Sequence, residues 1–222
     1  MPKPQMKIKP RQPKLPPSTS FFYYAKNSTE LFCEQVSVER IAKAIQTPCY
    51  IYSNAALASQ YRRFRNGLNK VTSTVHFAVK SCSNHHILRK LGSWGAGADI
   101  VSGGELFRAS LGQISPEKIV FSGVGKTAVE IKEALLAGIQ SIQVESLAEL
   151  HLISKIASDI NLKARIALRV NPNVNAKTHP YISTGLKHNK FGLDPFELKA
   201  ILSEYHYFKR NVHFQGFGCH IG

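Results

Sequence analysis

The stretch Val75-His76-Phe77-Ala78-Val79-Lys80-Ser81 decides the fold. Its mostly apolar or β-branched residues run straight into a lysine and then into Ser81-Cys82-Ser83-Asn84. A strand that is apolar almost throughout is expected to be buried on both faces, as in a parallel sheet wrapped by helices. Lys80 then stands at the carboxyl end of that strand, the end where β/α barrels carry their chemistry. An ammonium there is costly to desolvate. Either it is a rim lysine facing water, or it has a task, the obvious one being a Schiff base with an aldehyde cofactor.

The pattern repeats on the carboxyl side. Residues 98–101, 118–121, 141–144, 165–170 and 212–218 read as further strands. Helical stretches follow the earlier ones, near 84–91, from Ser102-Gly103-Gly104-Glu105 onward, over 127–136 and near 147–158. Strand ends recur every twenty-odd residues as far as Asn171-Pro172. A longer gap then opens, in which 172–192 reads as a polar functional loop. Repeating βα units of this size mean an α/β protein with a parallel sheet, closed as a barrel or left doubly wound. The expected architecture is a (β/α)8 TIM-type barrel of which only about six βα units are present. A whole barrel takes about 250 residues, so the chain is expected to be cut short.

On the amino side the organisation differs. Residues 1–20 hold six prolines, five basic residues and no acid, and read as a disordered or polyproline arm without the apolar core of a secretory signal. Residues 21–24, 31–36 and 49–52 look like short strands. Ser37 opens a helix through Ile45, and Asn54 caps another over 55–68 with Leu57, Tyr61, Phe64 and Leu68 as its inner stripe. The expected domains are thus the arm 1–20, a segment 21–53, and the barrel 54–222.

Composition excludes more than it identifies. With 222 residues and 43% hydrophobic content the chain is ordinary globular material. No apolar run approaches the ~18 residues of a membrane span. Cys33, Cys49, Cys82 and Cys219 show no metal-ligand spacing, so no metal is expected, and so few cysteines fit a reducing compartment. The net charge of +15 includes five from the arm. With no aromatic-basic motif it reads as attraction for anionic ligands rather than nucleic acid.

The strand ends carry Lys80, Asp99, Ser102, Ser122, Glu145, Arg169, Asn171 and His220, which a barrel brings to one rim. A lysine, an acid, an arginine and a histidine around one mouth suit a pyridoxal phosphate site. Each has a plainer reading. Asp99 can be a turn residue, His220 a bonded core histidine and Glu145 the cap of the next helix, the reading favoured for it. Arg169, a charge inside Leu168-Arg169-Val170, demands a partner. Cys82 and Cys219 read as small buried hydrophobes. Gly123-Val124-Gly125-Lys126-Thr127 resembles the end of a phosphate-binding loop, but Val120 stands where that loop needs glycine, so it reads as a tight βα turn.

Several stretches carry a specific resemblance. They are Phe77-Ala78-Val79-Lys80, Gly97-Ala98-Asp99-Ile100-Val101-Ser102-Gly103-Gly104-Glu105, residues 119–127, Leu168-Arg169-Val170-Asn171-Pro172, residues 176–185, Asn189-Lys190-Phe191-Gly192 and Cys219-His220-Ile221-Gly222. Over about residues 21–222 the chain resembles the diaminopimelate decarboxylases, a branch of the pyridoxal-phosphate-dependent barrel family that also holds ornithine and arginine decarboxylases and shares a fold with alanine racemase.

The resemblance implies decarboxylation of meso-2,6-diaminopimelate to L-lysine and carbon dioxide, with pyridoxal 5′-phosphate as cofactor. It implies Lys80 as the cofactor lysine and His220 stacked on the ring. Ala78, Asp99 and Arg169 would line the cofactor site, and His179, Tyr181, Ser183 and Thr184 the substrate mouth. It also implies a cytoplasmic homodimer acting on a small amino acid, without nucleic acid or membrane. The sequence departs from the family at Ser81-Cys82. The family's glycine-rich phosphate loop, its pyridine-pairing carboxylate and its C-terminal β-domain, which the strands at 21–52 would join, are not in these 222 residues. A decarboxylase for ornithine or arginine, a racemase, and an inactive truncated remnant stay open as alternatives.

Overall fold

The computed structural model describes residues 21–172, 174 and 191–220. The arm 1–20 lies outside them. Contacts divide the chain into two units, Met1–Thr72 and Ser73–Gly222. The expected division stood at 53/54, so the helix that was to open the barrel falls on the amino side of the observed one.

In the first unit β1 (Phe22–Tyr24), β2 (Leu31–Cys33) and β3 (Val36–Ser37) pair antiparallel in that order. The expected single strand 31–36 breaks in two because Glu34 takes a left-handed φ of 54° and turns the chain. Helix α1 (Val38–Ile45) starts on Ser37 as expected. Helix α2 (Asn54–Gly67) is capped by Ser53 rather than Asn54. Ser53 Oγ accepts from Ala56 N at 2.9 Å and donates to Glu34 Oε1 at 2.7 Å, while Glu34 also accepts from Ala55 N at 2.8 Å. These bonds, that of Ala55 first, hold the Glu34 carboxyl below the usual range. The expected stripe Leu57, Tyr61, Phe64 and Leu68 buries none of its members, and Phe64 is 61% exposed. Helical spacing says which side chains share a face, not what covers it. Residues 49–52 form no strand: a β-prone run needs a ladder partner, and Tyr50 instead stands 90% exposed.

The second unit is the barrel sheet. Its strands are β4 (His76–Ala78), β5 (Gly97–Ile100), β6 (Ile119–Phe121), β7 (Ser141–Val144), β8 (Ala164–Arg169) and β9 (Val212–Gly218). They pair in parallel and in chain order. A doubly wound sheet reverses its strand order once; this one never does. Helices α3 (His85–Ser93), α4 (Gly103–Leu111), α5 (Ala128–Ala137), α6 (Leu147–Asp159) and α7 (Pro195–Phe208) follow their strands, each packed on the next. That is the winding of a β/α barrel rather than of a doubly wound sheet. Helix α7 lies beyond the foreseen loop 172–192, in the part of the long gap to which no element was assigned.

One sequence device starts four of these helices. Ser102, Thr127, Ser146 and Asp194 are N-caps, and each side-chain oxygen accepts from the backbone N–H of a glutamate three residues on. Glu130 and Glu197 return the bond to the cap residue's own N–H. Glu105 and Glu149 reach one residue further back, to Val101 N and Glu145 N. Each βα turn is thereby fixed from both sides. Glu130 also accepts from Gly103 N at 2.8 Å, which ties the start of α4 to the start of α5. That bond is the first reason its carboxyl sits below the usual range.

The core fills the space between sheet and helices. Ile100, Phe121, Ile142, Leu150, Ile153, Ile166 and Leu168 are essentially inaccessible. β4 is less buried than its apolar run foretold, and the strand stops at Ala78. Val79–Ser81 form a single 3-10 turn, which lifts Lys80 into solvent at the rim. Gly97 is fixed by close packing. A Cβ there would overlap the Lys118 carbonyl oxygen and stand 2.5 Å from His76 Cδ2. Gly97→Ala is therefore expected to destabilise the barrel by about 1–3 kcal/mol in urea unfolding, since the β4–β5–β6 backbone must shift to admit one methyl group.

Candidate active site

The carboxyl ends of the strands surround a cavity of about 450 Å³, within the roughly 300–1,000 Å³ range of small-molecule sites. Lys80, Asp99, Arg169 and His220 all line it, as do Ser122 and Gln143. Five of the strand-end residues singled out in the sequence, Ser122 among them, thus meet at one mouth. Ala78 does not line the cavity: it ends β4, its carbonyl accepting from Ser81 Oγ at 2.7 Å. His179, Tyr181, Ser183 and Thr184 lie outside the described residues.

Lys80 Nζ makes no hydrogen bond or ion pair among the described residues, and the residue is exposed. Of the two readings open for Lys80, its position is that of a lysine facing water at the rim, because the strand ends at Ala78, two residues earlier than expected. The amine keeps its solvation and its freedom to react.

Asp99 is a strand residue, not a turn residue, and its Oδ1 accepts from the Ser122 hydroxyl at 2.6 Å. Asp99 pairs with Val120 in the β5–β6 ladder, and Ser122, the residue after β6, is held there by its N–H on Ile100 O and stands two positions on from Val120.

Arg169 has the partner its place in an apolar strand required. Its Nη1 donates to both oxygens of Glu145, at 2.6 and 2.7 Å, with side-chain exposures of only 14% and 4%. Glu145 was expected to cap α6. Ser146 has that role, and Glu145 instead faces the sheet interior, where it also accepts from Gly123 N at 3.0 Å. The Arg169 guanidinium lies 5.7 Å from the Phe191 ring centroid, a cation–π distance.

Behind this pair is an unforeseen second one. Lys126 is fully buried, and its Nζ donates to Glu149 Oε1 at 2.8 Å, Gln143 O at 2.7 Å and Gly123 O at 2.5 Å. All three ammonium donors are satisfied. Gly123, at a φ of 98°, makes the turn that sequence spacing assigned to it, and the lysine of the false phosphate-loop motif points inward to fasten that turn. The Ser146-x-x-Glu149 spacing is the signal that could have placed the cap on Ser146 rather than Glu145. It carried no trace of Lys126, which approaches from a different βα turn.

His220 lines the cavity while much of its surface stays open to solvent. Its imidazole is shifted toward the neutral form. Desolvation of the part against the wall comes first, then the Arg169 and Lys80 cations, with Asp99 and Glu145 opposing. The unfolded chain therefore binds this proton more readily than the folded one. Stability linked to His220 is complete above the ordinary histidine range and is lost as pH falls through that range toward the folded value. NMR titration is expected to place the His220 midpoint below that of an unstructured histidine, and Lys80→Met to raise it. A midpoint at or above the ordinary value would contradict the arrangement.

Cys219 is exposed and Cys82 partly so, rather than buried as expected. Among the described residues no cluster of histidine, cysteine or carboxylate groups could hold a metal ion, and no helix is long and apolar enough to cross a membrane.

Comparison with known proteins places this rim in context. The family model for the pyridoxal-dependent decarboxylases, pyridoxal binding domain, matches residues 54–222. Diaminopimelate decarboxylase from Pseudomonas aeruginosa is 44% identical over 199 residues, covering 90% of this chain and 48% of that protein. The Aquifex aeolicus enzyme is 42% identical over 202 residues, covering 90% and 47%. Among solved structures, diaminopimelate decarboxylase from M. jannaschii in co-complex with L-lysine superposes with a TM-score of 0.80 at 36% identity, covering 90% of this chain and 48% of that one. The chain spans about half the length of the curated relatives it matches.

Proposed function

The chain belongs to the pyridoxal-dependent decarboxylase family, and from that premise we propose that it is the cofactor-binding barrel of a diaminopimelate decarboxylase, which converts meso-2,6-diaminopimelate to L-lysine and carbon dioxide. The observation that carries this reading is a Lys80 amine, without a partner among the described residues, at the mouth of a cavity shared with Arg169 and His220. It stands in a chain more than 40% identical, over nine tenths of its length, to enzymes of that name.

The residues fit pyridoxal 5′-phosphate. The donor set is one reactive amine, one fixed guanidinium and one imidazole biased toward neutrality, which suits an anionic aromatic aldehyde. The buried acceptor Gln143 Oε1, without a partner among the described residues, adds a place for a ligand donor. When bound, the cofactor supplies an electron sink for the pair left on the amino acid's Cα as carbon dioxide departs. Lys80 would hold it covalently from its solvent-exposed position on the 3-10 turn. His220 offers a ring face without adding a cation. Glu145 neutralises and orients Arg169, so that the guanidinium meets the ligand in one fixed direction. Asp99 is restrained by Ser122. Homodimer formation and a cytoplasmic location belong to the same proposal, as what membership of this family implies.

The test is carbon dioxide release by the complete gene product with pyridoxal phosphate. Meso-diaminopimelate is expected to be consumed, and ornithine and arginine ignored. Equal or faster turnover of ornithine would replace this reading by the other branch of the family.

A further inference from the structure

Gln143 is the third residue of β7, and its backbone carbonyl is held by Lys126 Nζ at 2.7 Å. Its side chain lies against Gly218, the last residue of β9. A Cβ added at 218 would stand 2.6 Å from Gln143 Oε1 and 3.4 Å from Cδ. The carboxamide thus occupies space that only a glycine leaves open. It lines the same cavity as Lys80, Arg169 and His220. Among the described residues, Oε1 is the one buried side-chain polar atom without a hydrogen-bond partner. A buried acceptor left unmatched works against stability. Here the backbone clamp on one side and the absent Cβ on the other hold it in that state.

We propose that Gln143 is a ligand-binding residue of this cavity, its Oε1 accepting a hydrogen bond from an N–H or O–H donor of the bound molecule. The inference rests on the cofactor reading above, and the donor comes either from pyridoxal phosphate or from the amino acid. Neither the family model nor the strand-end pattern in the sequence singles the residue out, because it stands one step inside the strand rather than at its end.

The complete gene product and its Gln143→Met variant provide the test, since methionine keeps the volume and removes the acceptor. Without cofactor, the variant is expected to melt at or above the wild-type temperature, because an unmatched polar atom is gone. Its dissociation constant for pyridoxal 5′-phosphate, followed by absorbance, is expected to rise about tenfold if the donor is on the cofactor. If the donor is on the amino acid, the dissociation constant for L-lysine on cofactor-loaded protein rises instead. Gly218→Ala, which leaves Gln143 in place but crowds Oε1, is expected to weaken the same affinity. A cofactor-free melting temperature well below wild type would show Gln143 holding the fold and would overturn the proposal. So would both affinities unchanged, with a water filling the acceptor. Wild-type protein that takes up no pyridoxal phosphate would sink the cofactor reading and this inference with it. Wild-type uptake with an unaffected variant would sink this inference alone.

Discussion

Lys80→Ala is expected to leave the fold intact and to lower decarboxylation by roughly a thousandfold or more, the scale seen when a covalent catalytic group is removed. The two halves of that expectation have separate causes. Lys80 sits on an exposed 3-10 turn and makes no hydrogen bond or ion pair among the described residues. Its truncation should change unfolding stability by no more than about 0.5 kcal/mol, as for surface positions generally. Among the described residues the chemistry has no substitute on the rim. The other lysine of the strand-end region, Lys126, is buried with all three donors occupied. Borohydride reduction of cofactor-loaded protein followed by peptide mapping reads the result. The adduct should fall on Lys80 and vanish in the variant. An adduct on any other lysine would remove Lys80 from the role.

Lys126→Met is expected to be the most damaging single change to stability considered, about 3–5 kcal/mol, because it strands a largely buried Glu149 carboxylate without its cation. The loss spreads through named bonds. Lys126 fastens Gly123 O, and Gly123 N donates to Glu145, whose own backbone N–H donates to Glu149. Glu145 in turn holds Arg169. Urea unfolding measures the effect. Glu149→Gln tests the same pair from the other side: its amide oxygen can accept from Lys126, but the buried ammonium loses its counter-charge and the new NH2 group meets the Glu145 N–H, so a loss of comparable size is expected. Little loss in either variant would mean that the charge pair is not what matters there.

Much of the barrel is legible in residues alone, for a definite reason. The strands are short apolar runs and the caps are serine, threonine or aspartate with glutamate three positions on. Both are local properties of the chain. Even the overlooked α7 announces itself this way, through Asp194-Pro195-Phe196-Glu197, a capping box with proline in the first turn. The errors share another cause. At 49–52, at Phe64 and at the end of β4 the side-chain pattern was read as if it carried its own partners, and burial is a property of two surfaces.

By itself, the sequence determined the order of the six barrel strands and of the first four barrel helices, the turn glycine at 123, and the gathering of Lys80, Asp99, Arg169 and His220 at one end of the sheet. Parallel strands of similar length must bring their carboxyl ends together, so position along the chain sufficed. Only the tertiary structure decided that Lys80 stands solvated on a turn, that Glu145 serves Arg169 rather than a helix, that Lys126 is locked inside, and that Gln143, a cavity residue, keeps an oxygen unmatched among the described residues. Those are pairings between side chains far apart in the chain. Periodicity within one segment cannot specify them, because each depends on which neighbouring strand supplies the other half of the bond.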